Sequence, residues 1–573
     1  MSQSAEELLA QLDEQQRLVA STFHRPLAVL AGAGSGKTRA LTYRIAYGVR
    51  TGKYQENRLM ALTFTARAAD ELRSRLNVLG VHGAGARTFH AAALAQLRYF
   101  WPLAVGGKPP MILEGKGRAL AEVAESFRMR FDAAVLRDAA AEIEWRKVNQ
   151  LSIGRYLSFD RPLPQGFSAE SFAEFQEKYE SLKVERQQLD FEDVLLAMVG
   201  MIEAEPVIAE HVRQQYRSFL VDEYQDVSPL QQRLLELWLG TRDDLMVVGD
   251  ISQTIYSFAG ASSEFLRKFL HKYPQGEVIK LETNYRSTPA VVALANAVIR
   301  NEPGALELVS SISPAVSSAS NPEPVRSVYA NDAAEAKGVA QKIASLLEAG
   351  TPASQIAVLY RINIQGALLE DALDAKNIRY QVHGGHRFFE LREIRQAIML
   401  LKGASLTLSK EPVVKAVEDV LYSLGWREEA PKHPGASRDT WDSLNQLREM
   451  IDRERHNTLG DFVNELLHRQ QTQQAPERDA VTLATIHSAK GMEWAAVFLI
   501  GLSEGLLPSY FAESEQEIAE ERRLLYVGIT RAKRLLQLSY SKQNHYGESR
   551  TPSRFLQNLG GSNSTPGAET TPA

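Results

Sequence analysis

Leu27-Ala28-Val29-Leu30-Ala31-Gly32-Ala33-Gly34-Ser35-Gly36-Lys37-Thr38 is an apolar run that breaks into a glycine-rich turn and ends in Gly-Lys-Thr. A short apolar run bounded by glycine reads as a buried strand, and the turn after it reads as a phosphate cradle. Backbone N–H groups freed by Gly34 and Gly36 can wrap the β-phosphate, Lys37 can reach the β- and γ-phosphates, and the Thr38 hydroxyl can hold Mg²⁺. The chain is therefore expected to bind a nucleoside triphosphate, ATP in the simplest reading. Ala31 stands where the strict pattern has Gly, so the match is A-x-x-x-x-G-K-T.

Further apolar runs at 59–63, 219–221, 245–248, 356–359, 481–485 and 497–500 alternate with longer amphipathic stretches. Such alternation predicts parallel α/β sheets covered on both faces, two of them in a chain of this length. Helix-rich, strand-poor stretches at about 93–189 and 391–475 read as insertions into the α/β units. Pro431, Pro434 and Gly435 are expected to break the second one into shorter elements. The tail from Gly560 offers nothing to bury and is expected to be disordered.

The 573 residues suffice for about three to five domains. With 44% hydrophobic and 24% charged residues the composition is that of a globular protein, and no apolar run reaches the length of a membrane helix. The absence of cysteine excludes disulfides, thiolate zinc sites and iron–sulfur ligation. The start Met1-Ser2-Gln3-Ser4-Ala5-Glu6-Glu7 lacks the basic and apolar regions of a secretory signal, so a cytoplasmic location is expected. A net charge of −5 argues against coating nucleic acid by bulk charge and leaves room for a local basic groove.

Phe219-Leu220-Val221-Asp222-Glu223-Tyr224-Gln225-Asp226 supplies a second element of ATP chemistry. A strand ending in Asp-Glu places Asp222 to hold Mg²⁺ and Glu223 to orient and deprotonate the attacking water. Alone, such a pair also reads as a solvated turn; the cradle in the same chain decides between the two. A third strand runs into Gly249-Asp250-Ile251-Ser252-Gln253, where Gln253 can report the presence of the γ-phosphate.

These motifs and their order resemble the UvrD, Rep and PcrA group of superfamily 1 DNA helicases, over nearly the whole chain from Leu12 to Leu556. Leu12-Asp13-Glu14-Gln15-Gln16-Arg17 resembles the adenine-reading segment, with Gln16 as its glutamine, and Arg39 follows the cradle as it does there. Asn284-Tyr285-Arg286-Ser287 is similar to the segment whose Tyr stacks on adenine and whose Arg meets the γ-phosphate. The resemblance thus assigns the nucleotide to Gln16, Ala33, Gly34, Ser35, Gly36, Lys37, Thr38, Arg39, Tyr285, Arg286, Glu493 and Arg531. It implies catalytic roles for Lys37, Asp222, Glu223, Gln253, Arg286 and Arg531, with Arg286 and Arg531 arriving from a second domain. Single-stranded DNA is assigned to Phe64, Thr65, Thr88, His90, Tyr256, Phe258, Arg361 and His487. For Phe64, Tyr256 and Phe258 a core position is the competing reading, and for His90 and His487 a structural hydrogen bond.

The implied fold is two RecA-like parallel-sheet domains with two mainly helical insertions. The first comprises 1–92 and 190–277 and is interrupted by 93–189; the second comprises 278–390 and 476–558 and is interrupted by a short 391–475. A tail follows at 559–573, without the C-terminal HRDC module of some relatives. Departures from the group include Ala259, where an Arg that contacts DNA is usual, and Ile251-Ser252 in place of an acidic pair. The implied activity is 3′ to 5′ translocation on single-stranded DNA with duplex unwinding, in repair or replication, by a monomer that acts at single-strand/duplex junctions beside the nucleoid. A translocase that strips proteins, and an ATP-gated DNA-binding scaffold, remain as alternatives.

Overall fold

The computed structural model describes residues 4–557 and 562–564, apart from 128–132, 160, 162, 314–321, 363–364, 384–388, 390, 407–411, 430–440, 442, 446, 449, 452–455, 457, 473–478 and 545–546. Pro431, Pro434 and Gly435 lie outside the described residues. The chain forms two compact units, Met1–Arg286 with Ile299–Ile312, and Ser287–Val298 with Ser313–Ala573.

The first unit carries, in chain order, β1 (Leu27–Ala31), β2 (Leu59–Thr63), β3 (Gly85–Thr88), β4 (Met111–Ile112), β5 (Gln188–Leu189), β6 (Ser218–Val221), β7 (Leu245–Gly249), β8 (Glu277–Leu281), β9 (Thr283–Asn284) and β10 (Val309–Ser310). Six of these make a sheet in the order β3-β2-β6-β7-β1-β8, with every pairing parallel. Successive side chains of a strand point to opposite faces, so an unbroken apolar run demands cover on both sides. Leu27, Val29 and Ala31 pack with Leu41 and Ile45 of the helix Lys37–Arg50. Ala28 on the opposite face joins Leu195, Met198, Leu234 and Trp238 from the helices Phe191–Ala204 and Pro229–Leu239.

The compact division falls after Arg286 and not at 277/278, because β8 pairs with β1 along its whole length. Arg286 is the last residue before the chain passes to the second unit at Ser287. The helix Phe89–Ala104 crosses the 92/93 boundary, and its Phe89, Leu97 and Phe100 belong to the core of the sheet. The first insertion has its own core of Leu120, Ile143, Tyr156, Phe172, Phe175 and Tyr179.

The second unit carries β11 (Val325–Tyr329), β12 (Ile356–Tyr360), β13 (Tyr380–His383), β14 (Val481–Thr485), β15 (Trp494–Leu499), β16 (Ala532–Ser541) and β17 (Ser562–Ser564). They form a parallel sheet in the order β13-β14-β12-β15-β16-β11-β17. The tail, expected to be unstructured, contributes β17: the outer edge of β11 would otherwise present unpaired N–H and C=O groups, and Ser562–Ser564 pairs with them. The second insertion closes around Ile394, Leu401, Val417, Leu421, Trp426, Phe462 and Leu466. No described helix is long and apolar enough to cross a membrane.

Candidate nucleotide site and nucleic-acid contacts

In a parallel sheet all carboxyl ends of the strands open on one edge, where ligands of α/β proteins bind. That edge of the first unit gathers the loop after β1, Asp222 and Glu223 after β6, and Asp250 to Gln253 after β7. Gly34 and Gly36 adopt φ of +70° and +80°, in the left-handed region that glycine enters without cost. A Cβ on Gly34 would lie 2.6 Å from Asn284 Nδ2, and one on Gly36 would lie 2.7 Å from Gln16 Nε2. Gly34 and Gly36 thus tolerate no side chain, and the bare backbone there allows close approach of an anion. Gly36 is also the N-cap of the helix Lys37–Arg50, whose dipole favours negative charge there. The buried hydroxyl of Ser35 donates to the Gly32 carbonyl at 2.8 Å and tightens the turn.

Lys37 Nζ stands 3.5 Å from Glu223 Oε1. Glu223 has φ +52°, a strained state for a residue with a side chain, of the kind that clusters at functional sites. Its other oxygen accepts from Gln225 Nε2 at 2.5 Å, while Gln225 Oε1 accepts from the Asp250 N–H at 3.0 Å. Asp250 Oδ2 in turn accepts from Gln253 Nε2 at 2.8 Å. The expected base and the expected γ-phosphate reporter are therefore linked through one buried amide, Gln225. Burial and then the Glu223 charge push the Asp222 carboxyl up to about 7. A buried carboxyl that ionises with such reluctance is what a divalent cation would relieve, so the residues present fit Mg²⁺ on Asp222 with Thr38.

Gln16 is buried, donates to the Ser35 carbonyl at 3.1 Å and takes its backbone orientation from the N-cap Asp13. The Tyr285 hydroxyl bonds to Asp13, and the Tyr285 N–H donates to the Gly34 carbonyl at 2.9 Å. Asn284 Nδ2 donates to the Ala33 carbonyl at 2.7 Å, and its Oδ1 accepts from the Arg286 N–H. The first unit alone therefore brings Gln16, Tyr285 and Arg286 to the cradle. Arg39 stacks over Tyr43 and donates to the Gln11 carbonyl. Asp13, Gln225 and Asn284 each lie inside or beside a motif, but only side-chain geometry shows what each holds.

Phe64 and Tyr256 stack at 5.7 Å between ring centroids, 14° from parallel, and Phe258 meets Tyr256 edge-on at 6.1 Å. Phe64 and Phe258 are 45% and 64% exposed, so they are surface rings and not core. Thr65 and Thr88 spend their hydroxyls as N-caps of the helices Ala66–Val78 and Phe89–Ala104. Burial, then Lys116, pushes His90 down to about 4, and burial, then Arg361 and Lys490, does the same to His487. Both rings are neutral at physiological pH and offer no charge to a phosphate.

In the second unit the Arg361 guanidinium makes a bidentate pair with Glu521, at 2.8 and 3.1 Å. Its charge is matched there and not presented free. Glu493 pairs with Lys533 at 2.8 Å. Arg531 is 2% exposed and donates to the carbonyls of Val527 and Met492.

Residues 12–274 match the UvrD/REP helicase N-terminal domain, and residues 279–412 and 438–543 match the UvrD-like helicase C-terminal domain. The chain belongs to the UvrD-like helicase family. It is 42% identical to the ATP-dependent DNA helicase UvrD2 of Mycobacterium tuberculosis (strain H37Rv), across 98% of this chain and 83% of that protein. It is 29% identical to DNA helicase II of Escherichia coli (strain K12), across 96% of this chain and 88% of that protein. The strand edge that holds the cradle thus lies within the matched N-terminal domain of a UvrD-like helicase.

Proposed function

We propose that this ATP-dependent DNA helicase couples hydrolysis at the cradle to 3′ to 5′ translocation on single-stranded DNA and unwinds duplex ahead of it. The observation that carries the reading is the single strand edge that combines an anion cradle, a Lys37–Glu223 pair, a buried Asp222 and the Gln225–Asp250–Gln253 relay. Glu223 orients and deprotonates water, and Lys37 with Arg286 and Arg531 balances charge on the phosphoryl. Thr38 and Asp222 would hold Mg²⁺, which neutralises phosphate charge when bound. The stacked pair Phe64 and Tyr256, with Phe258, receives bases without sequence preference, as a motor that follows any strand requires. Repair or replication in the cytoplasm, beside the nucleoid, suits such an activity.

The test is a pair of measurements on one preparation: ATPase rate with and without single-stranded DNA, and strand displacement on duplexes with a 3′ or a 5′ tail. Strong stimulation and displacement confined to the 3′ tail are expected. Stimulation without displacement, but with streptavidin removed from a tailed strand, would replace unwinding by protein stripping. ATP turnover indifferent to DNA would overturn the motor.

A further inference from the structure

Among the described residues, Tyr510 and Phe511 form an exposed aromatic pair to which the nucleotide site and the DNA contacts give no role. They are adjacent, 78% and 83% exposed, and their rings meet edge-to-face at 5.7 Å. Single exposed apolar residues are ordinary; two large neighbouring rings outside any core mark an interaction site.

Hydrogen bonds order the backbone of the loop that presents them. The Tyr510 N–H donates to the Gly505 carbonyl at 3.1 Å and the Ala512 N–H to the Ser509 carbonyl at 3.0 Å. The Ser509 N–H donates to Glu521 Oε2 at 2.9 Å, and Glu521 also carries Arg361. Upstream, Glu504 pairs with Arg554 at 2.7 Å and its N–H donates to the Thr551 carbonyl. A backbone ordered before binding loses little entropy when its rings are covered, which adds to the weight of aromatic anchors in an interface.

Charge selects the kind of partner. From Ser503 to Glu520 the charged residues are Glu504, Glu513, Glu515, Glu517 and Glu520; Arg554 matches Glu504, and Arg522 and Arg523 follow in the helix, so the unmatched charge nearest the rings is that of Glu513 and Glu515. Glu513 and Glu515 are exposed within five residues of the rings. The dipole of the helix Glu515–Ile529, capped by Ser514 with Glu517, accounts for acids at its start but not for the rings before it. Stacking platforms for nucleic acid set their aromatics among Lys and Arg, and here phosphates would be repelled.

We propose that Tyr510 and Phe511 form a docking point for a protein partner that brings a cationic segment with apolar or aromatic anchors. The rings fill the apolar contact, and Glu513 with Glu515 steers and orients the cations.

The test is a selection from a random-peptide library on the full chain, with counter-selection on the double variant Tyr510→Ser/Phe511→Ser. Enriched peptides should combine Lys or Arg with large apolar residues. Their affinity should fall at least about tenfold in the aromatic double variant, and at least about threefold in Glu513→Gln/Glu515→Gln, while both variants keep DNA-stimulated ATPase. Failure to enrich any peptide dependent on the rings, or enrichment without excess Lys and Arg, overturns the proposal. So does a loss of affinity for a single-stranded oligonucleotide in the aromatic variant, which would make the surface a nucleic-acid contact.

Discussion

Lys37 Nζ lies 3.5 Å from Glu223 Oε1, so the cradle's cation rests on the carboxylate expected to act as base. The same ammonium faces Asp222 and Asp250, both of which burial pushes toward the protonated form and Lys37 pulls back. Glu223→Gln should keep nucleotide binding and cut turnover by about 10² to 10⁴, the usual worth of a general base. Lys37→Ala should abolish turnover and spare much of the DNA affinity. Fluorescent-nucleotide binding alongside steady-state ATPase decides this; near-normal turnover in either variant removes the site from this edge.

The cradle and both Asp-ended strands were legible because each is a local pattern: an apolar run, then the residues its chemistry needs. Gln225 was not, since its role depends on φ +52° at Glu223, which turns two side chains of one motif toward each other. The place of Arg286 was hidden for a different reason. Membership of β8 in the first sheet is a long-range pairing with β1 that no local periodicity reports. β17 was masked by its Ser-Asn-Ser composition, which carries no strand propensity of its own and pairs only because an edge is open.

Arg531→Ala should lower ATP turnover by at least about a hundredfold and leave nucleotide affinity nearly intact, because its charge is needed mainly in the transition state. The variant also loses bonds to the Val527 and Met492 carbonyls, so its melting temperature should fall. The two effects separate in Arg531→Lys, in which a charge remains but the forked donor geometry does not. Full turnover in that variant would show that charge alone suffices, whereas near-normal turnover in Arg531→Ala, or a loss confined to ATP affinity, would assign Arg531 to structure alone.

Removing one ring of the Phe64–Tyr256 stack should weaken single-strand binding by about 1 to 3 kcal/mol, without sequence dependence. Adding a cation nearby should act in the opposite direction. Ala259→Arg, three residues beyond Tyr256, should raise affinity and steepen the salt dependence by about 0.7. Salt titrations of oligonucleotide binding read both; an unchanged slope would show that position 259 faces away from the strand.

Glu335 gives the second unit a pH dependence of its own. Buried in the helix Asp332–Glu348, it accepts from Ser539 Oγ at 2.5 Å and from the Gly501 N–H at 3.1 Å, and burial pushes its carboxyl up to about 7. The folded form therefore holds the proton more tightly than the unfolded chain. Its contribution is fully present below about 4.5 and is lost as pH rises through about 7, on the order of 3 kcal/mol in all. Glu335→Gln cannot ionise, so denaturant unfolding at pH 8 should show it gaining on the parent relative to pH 5. Parallel pH profiles for the two proteins would contradict this.

Lys147 and Lys183 meet Asp190 and Asp193 in a buried network that joins the first insertion to the helix Phe191–Ala204. Lys147 Nζ lies 2.7 Å from Asp190 Oδ2 and 2.6 Å from Asp193 Oδ1, Lys183 reaches both carboxylates, and the Tyr179 hydroxyl donates to Asp190 at 3.0 Å. Burial would raise the Asp190 carboxyl, but the two ammonium groups outweigh it and hold the group well below the carboxylate range. Each ion is tolerated only while its partners remain. Lys147→Met leaves Lys183 as the one ammonium shared by Asp190 and Asp193, and this excess of buried negative charge should cost up to about 3 to 5 kcal/mol. Pairing it with Asp190→Asn should recover part of that loss, because the excess charge is then gone. The nucleotide cradle shares no member of this network, so ATP affinity in the folded fraction should be unchanged. A double-mutant cycle followed by denaturant unfolding reads the coupling: additive losses would mean that the ions are independently solvated and do not act as a unit, whereas recovery identifies the network as the clamp that fixes the insertion to the motor.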